Sequence, residues 1–186
     1  MHHDIKVFVQ QCLICQQAKM AITLPASVLQ PLPIPYQIYG ELAMDFITCH
    51  PVSYGFTLIY VVIDILSKAA HFMALKQDFT SKSVAEIFFK NVVKLHRLPK
   101  SIVSNRDKVF TSQFWKFLWQ FSGTTIKMSS AYHPQSDGQY EILNKGLELY
   151  LRCFTFDAPR EWSKMLAWEE YWYNRAYHTS TKMTQF

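Results

Sequence analysis

The sequence is poor in glycine, with five in 186 residues, and it has no internal repeat and no low-complexity tract. With 49% hydrophobic and 16% aromatic residues, a collagen-like or disordered chain is excluded. No apolar run reaches the roughly 20 residues needed to cross a bilayer. No charged-then-apolar leader opens the chain. The expectation is a soluble protein of the nucleus or cytoplasm. Cysteine is also scarce. Cys49 and Cys153 stand alone in apolar surroundings and read as ordinary buried thiols, while Cys12 and Cys15 form a CxxC pair. Acid is missing from one stretch above all. From Lys90 to Lys127 there are eight basic residues and a single acid, Asp107. That local charge of +7 exceeds the +5 of the whole chain, so the remainder is slightly acidic. A basic middle suits a polyanion such as nucleic acid, although charge alone fits a solvated helix face equally well.

What is present divides at a proline-rich segment. Pro31, Pro33 and Pro35 alternate with Leu32 and Ile34, and each fixes its own φ and extends the residue before it. This predicts a linker over 25–37. Ahead of it, 1–24 reads as the end of a small helical unit, with Ile5, Phe8, Val9 and Leu13 near helical spacing. Behind it, 38–186 reads as the main domain. Strands are predicted at Ile38–Ile47, Phe56–Ile65 and Ala69–Leu75, forming an antiparallel meander. Thr80 is the expected N-cap of a helix carrying Val84, Ile87, Phe88, Val92 and Leu95 and ended by Pro99. Next come a strand at Ser101–Ser104, one aromatic helix over Phe110–Phe121 stopped at Gly123, and a strand at Thr124–Met128. A loop at Ser129–Gly138, a helix at Gln139–Phe154 and a second aromatic helix at Trp162–Tyr177 complete the chain. The order describes a mixed α/β domain with helices on both faces. Trp115, Trp119, Trp162, Trp168 and Trp172 sit at core-like spacing and read as packing. His71, His96 and His178 have no identifiable ligand partners.

Three segments carry chemistry. AMDFI places Asp45 inside an apolar strand, where an uncompensated carboxylate costs several kcal/mol. SIVSNRDKVFTS ends a strand in the polar cluster Asn105-Arg106-Asp107. AYHPQSDGQYE is a polar loop leading into a helix whose first turn carries Glu141. Taken alone, Asp45 is more simply a hydrogen-bonded structural acid than a metal ligand, because buried acids are usually paired.

Together, MDFI, IVSNRDKVFTSQFW, SSAYHPQSDGQYE and EYWYNRAYHTSTKMT strongly resemble the core of retroviral and gypsy-type retrotransposon integrases, over nearly the whole chain. The resemblance implies an RNase H-like fold with a five-stranded mixed sheet. It implies DNA as substrate, both element ends and target, and metal-dependent 3′-end processing and strand transfer as the ancestral reaction. It also implies a carboxylate triad at Asp45, position 105 and Glu141, with thirty-five residues between the last two. Such a triad would hold two Mg²⁺ (or Mn²⁺) ions roughly 3.5–4 Å apart, in oxygen-rich octahedral geometry. The family's second acid is an aspartate, and here it is Asn105. An amide keeps one oxygen but loses the charge, so metal binding and catalysis are expected to be impaired. Asp64 and Asp107 are the nearby acids that could substitute.

The resemblance further implies that 1–24 is a remnant of a zinc-binding unit of which only the Cys12/Cys15 half is present. Structural zinc wants four ligands, and His2 and His3 fall in the helix leading to the cysteines, so tight zinc is not expected. Residues 38–186 would be a C-terminally truncated catalytic core. Tyr132, Gln135 and Ser136 match loop positions that approach DNA in the family, and Lys145, one turn past Glu141, matches a DNA-contacting lysine. Read as residues alone, the same loop is an ordinary polar surface loop. Family members act as multimers, which suggests a homo-oligomer, and no membrane partner is expected. Two alternatives stay open. One is a catalytically inactive nucleic-acid-binding relic or domesticated module, favoured by Asn105. The other is a general RNase H-type nuclease, disfavoured by the YHPQSDGQ loop and the CxxC pair.

Overall fold

A computed structural model describes residues 1–18, 35–128, 134–178 and 181–184, with the backbone alone for residues 18, 49, 50 and 134–141. Most of the predicted 25–37 linker, and Tyr132, lie outside these. Two short helices open the chain, α1 (His2–Gln11) and α2 (Leu13–Ala18). His2 and His3 fall in the first turn of α1, as expected. Then come β1 (Glu41–Ser53), β2 (Phe56–Asp64) and β3 (Ala70–Lys76). Helix α3 (Ser81–Phe88) runs through a π-helical turn, Phe89–Val93, into α4 (Lys94–His96). The alternating part is β4 (Ser101–Ser104), α5 (Lys108–Thr111), α6 (Gln113–Ser122) and β5 (Thr125–Met128). A long α7 (Pro134–Phe154), a 3₁₀ turn (Pro159–Glu161) and α8 (Trp162–Arg175) follow.

The five strands form one mixed sheet in the order β3-β2-β1-β4-β5. The first three are antiparallel, as the meander reading required, and β4 and β5 join in parallel. Side chains alternate across a strand, so each face collects its own core. Leu42, Met44, Tyr60, Val62 and Ile102 pack with Val84, Phe88, Phe110, Trp115 and Trp119 from α3, α5 and α6. On the other face, Ala43, Ile47, Ile59, Val61 and Ile63 pack with Leu143, Leu147, Leu151, Trp162 and Leu166 from α7 and α8. Each fully buried side chain of this kind stabilises the fold by about 1.5–3 kcal/mol.

The edge strand β3 is closed by side chains rather than by another strand. Asn174 on α8 accepts from Ala70 N–H at 2.9 Å and donates to its carbonyl at 2.8 Å. One turn earlier, Glu170 accepts from Phe72 N–H at 2.8 Å. These bonds blunt an edge that would otherwise invite pairing with another chain.

Four expectations are corrected. The aromatic helix of Phe110–Phe121 is two helices, broken at Ser112, whose hydroxyl accepts from Trp115 N–H and restarts the helix. The predicted loop to Gly138 ends sooner, because Pro134 opens α7 at a position where its missing N–H costs nothing. Trp168 and Trp172 are 65% and 58% exposed, so the buried stripe of α8 is Trp162, Leu166, Glu169 and Asn174 instead. Cys153, read as a buried thiol, is only half-buried.

Candidate active site

The sheet register brings the first two predicted positions together. Met44 on β1 lies opposite Ser104 on the parallel strand β4. Asp45 and Asn105 are therefore the next residues along two adjacent strands. Asp45 shares strand parity with Ala43 and Ile47, so it faces the α7 side of the sheet, half-buried. Glu141 lies on α7, and its side chain is outside the described residues, as are those of Gln135 and Ser136. Lys145, exposed on α7, is on the same helical face as Glu141.

Asp45 is held by amides. Its Oδ1 accepts from Asn105 Nδ2 at 2.7 Å and from Phe46 N–H at 2.8 Å. Its Oδ2 accepts from Asn144 Nδ2 at 2.9 Å. Asn144 lies three residues past Glu141 on the same face, and sequence reasoning missed it. The available signal was its helical spacing from Glu141. Its own Oδ1 is buried without a hydrogen-bond partner among the described residues, a neutral oxygen beside Asp45.

The orientation of Asn105 follows from chemistry. Its Oδ1 accepts from Asp107 N–H at 3.0 Å, and a backbone N–H can only donate. The carbonyl is therefore committed to the turn, and the NH₂ is directed at Asp45. Flipping the amide to offer an oxygen beside Asp45 would set NH₂ against N–H and forfeit a bond worth about 1 kcal/mol.

The two spare acids are engaged elsewhere. Asp64, fully buried, accepts from Tyr39 N–H at 2.9 Å, Ser67 N–H at 2.8 Å and the Ser67 hydroxyl at 2.6 Å. It pairs with Leu42, three residues along β1 from Asp45. Asp107 caps α5 by accepting from Val109 N–H at 2.8 Å. Both oxygens of Asp64 are thus occupied, and Oδ1 of Asp107 is committed to its helix cap.

A pair of divalent ions wants several anionic oxygens converging on one volume. The described residues present one carboxylate there, Asp45, with both oxygens already accepting hydrogen bonds, and a neighbour that offers hydrogen rather than oxygen. Among the described residues no group of three His, Cys, Asp or Glu side chains converges anywhere. With Asn105 beside Asp45, the described part of the site offers fewer anionic oxygens than a pair of divalent ions asks for. At the other end, Cys12 closes α1, with its N–H donating to Phe8 O, and Cys15 lies on α2, both half-buried.

No protein-family model matches the chain. It is 36% identical over 183 residues to the transposon Tf2-3 polyprotein of Schizosaccharomyces pombe, covering 98% of this chain and 14% of that polyprotein. The chain thus spans about one seventh of the length of the curated relatives it matches. In fold it is similar to a chain of the simian T-cell lymphotropic virus intasome complexed with the PP2A regulatory subunit B56 gamma. That likeness has a TM-score of 0.68 at 16% identity and covers 100% of this chain and 65% of that one. It is similar too to the HTLV-2 integrase catalytic core domain, with a TM-score of 0.61 at 16% identity over 79% of this chain and 93% of that one. The chain is thus similar in sequence to a segment of the Tf2 retrotransposon polyproteins, and it shares the fold of retroviral integrase catalytic cores.

Proposed function

We propose that this chain is the core of a gypsy-type retrotransposon integrase that binds DNA but has lost most of its strand-transfer activity. The observation that carries this reading is the 2.7 Å hydrogen bond from Asn105 Nδ2 to Asp45 Oδ1. In an active site of this class, the strands present facing carboxylates that repel one another until cations enter. Here the second strand presents a donor, and the two residues satisfy each other without a cation. The HTLV-2 core domain similar in fold was solved with magnesium, which supports a divalent ion as the ancestral cofactor. Any ion bound here would have to work with Asp45, Glu141 and the open Asn144 carbonyl.

The change also alters what DNA meets. Three carboxylates repel a phosphate backbone unless metal neutralises them, and this chain has one fewer. With a local charge of +7 between Lys90 and Lys127, DNA binding without metal is the expected result. Tyr132, Gln135, Ser136 and Lys145 are the residues proposed to approach the DNA, in the nucleus or cytoplasm. Residues 1–24 are proposed as the remnant of a zinc-binding unit and 38–186 as the catalytic core.

The test is a strand-transfer assay with Mg²⁺ or Mn²⁺, beside an Asn105→Asp variant, with DNA affinity measured in EDTA across a salt series. Affinity that persists in EDTA and falls with salt, with no joining by the unaltered chain, is the expected pattern. Equally robust joining by both proteins would sink the reading.

A further inference from the structure

His71 and His96 take no part in the proposed function, yet the fold brings them together. His71 lies on β3 and His96 ends α4, and their Nε2 atoms are 3.0 Å apart. The ring centroids are 5.2 Å apart, the separation of two imidazoles meeting head-on. Two ligands converging on one metal would bring their rings closer together at that nitrogen spacing. The approach is that of an N–H···N hydrogen bond. His71 Nδ1 is 2.9 Å from Glu170 Oε1, and a carboxylate only accepts, so Nδ1 carries a proton. In the neutral pair His71 Nε2 is then bare, and His96 Nε2–H is the donor. Tyr39 lies flat on His96, with centroids 3.4 Å apart and planes within 3°, and its hydroxyl is 3.4 Å from His71 Nε2.

The contacts around this pair reach both site strands. The same Glu170 that holds His71 also holds β3 through Phe72 N–H. Tyr39 N–H donates to Asp64, and the next carbonyl, that of Gly40, accepts from Lys100 N–H at 2.7 Å and Ser101 N–H at 3.2 Å. Those residues lie at the starts of β1 and β4; Asp45 lies within β1, and Asn105 just past the end of β4.

We propose that His71 and His96 form an acid-labile clasp that holds with up to one added proton and opens with the second, freeing the end of α4 from the sheet. The proton count gives the behaviour. One added proton, on His96 Nδ1, still leaves a single N–H between the two Nε2 atoms. A second puts N–H against N–H across 3.0 Å, between two positive rings. The groups facing the pair are Glu170 from α8, Asp64 from β2 and Tyr39 ahead of β1, with Lys94 and Arg97 flanking His96 on its own segment. Burial and the facing His71 hold His96 below the ordinary imidazole range, against the opposing pull of Asp64. A lowered folded value means the unfolded chain takes the proton first, so stability present above about pH 6.5 is lost as pH falls.

The test is amide hydrogen exchange on the unaltered chain between pH 7.5 and 5, corrected for intrinsic rates, beside His96→Phe, which keeps an aromatic ring on Tyr39. Tyr39, Arg97, Lys100 and Ser101 should lose protection on the order of tenfold in the unaltered chain. In His96→Phe the same amides should show no acid-dependent change. Protection that holds at pH 5 in the unaltered chain would overturn the proposal. So would an equal loss in both proteins. If His96→Phe does not fold, the exchange profile of the unaltered chain decides alone. Loss confined to these four amides supports the clasp, and no loss, or loss spread evenly over the sheet, refutes it.

Discussion

At the scale of single residues, Asn105 and Asp45 meet as donor and acceptor where β4 ends beside β1. Asn is isosteric with Asp, so in the proposed reading the exchange leaves the fold undisturbed. What changes is the sign of one edge of the side chain, from acceptor to donor. Glu169 shows the opposite case, a charge with no function in view. It is 1% exposed on α8, and its Oε2 has no hydrogen-bond partner among the described residues. Burial pushes its carboxyl up to about 8. An unfolded glutamate releases its proton near 4.5 and the folded one holds it, so stability falls as pH climbs through that interval and levels off above it. Glu169→Gln is expected to flatten this slope. At pH 8 it should add roughly 2 kcal/mol, a figure already reduced for water reaching the carboxylate. Urea unfolding at pH 5 and pH 8 checks it, and parallel profiles for the two proteins would count against the assignment. Asp45 stood out in the sequence as an acid inside an apolar strand, whereas position 105 was joined to it only by the family resemblance. The buried state of Glu169 was not legible, since nothing local marks one of two adjacent glutamates as inward.

Elements were legible where local chemistry fixes them. Thr80 does cap α3, through a reciprocal box in which its hydroxyl accepts from Ser83 N–H and Ser83 Oγ accepts from Thr80 N–H. Removing that hydroxyl with Thr80→Ala should cost about 1 kcal/mol of stability in thermal or urea unfolding, with no change in DNA affinity. Gly123, at φ 72°, ends α6 in the left-handed conformation that glycine tolerates best. Elements were misread where aromatic spacing served two purposes. Phe110–Phe121 reads as one helix because its apolar residues never lapse, yet the Ser112 cap divides it. In α8 the exposed Trp168 and Trp172 alternate with a buried stripe, and periodicity alone does not say which stripe meets the sheet. The polar members of that helix were the better guide. Glu170 and Asn174 stand four residues apart in an aromatic run because both bond the β3 backbone.

At the scale of the whole molecule, the two faces of the sheet divide the labour. One face, under α3, α5 and α6, is a closed apolar core. The other carries Asp45 toward α7 and is tied to β3 by α8. The histidine clasp lies at the end of the sheet where β1 and β4 begin, and the amide-held carboxylate lies farther along β1, where β4 ends. Acid loosens the first end through the clasp, while rising pH weakens α8 through Glu169, so maximal stability is expected in the window between these two effects. The overall topology could be read from the sequence because three hydrophobic runs and two short strands leave few ways to build a sheet. The hydrogen-bonded state of the site could not, because it depends on which atom of Asn105 faces Asp45, and only the Asp107 N–H settles that.

The most direct measurement is a calorimetric Mg²⁺ titration of the unaltered chain beside Asn105→Asp. The account predicts that the unaltered chain binds Mg²⁺ at least tenfold more weakly, equivalent to about 1.4 kcal/mol or more, with no rise in melting temperature at millimolar Mg²⁺. Asn105→Asp should gain both. Equal Mg²⁺ affinity in the two proteins would contradict the claim that this side chain closes the metal site.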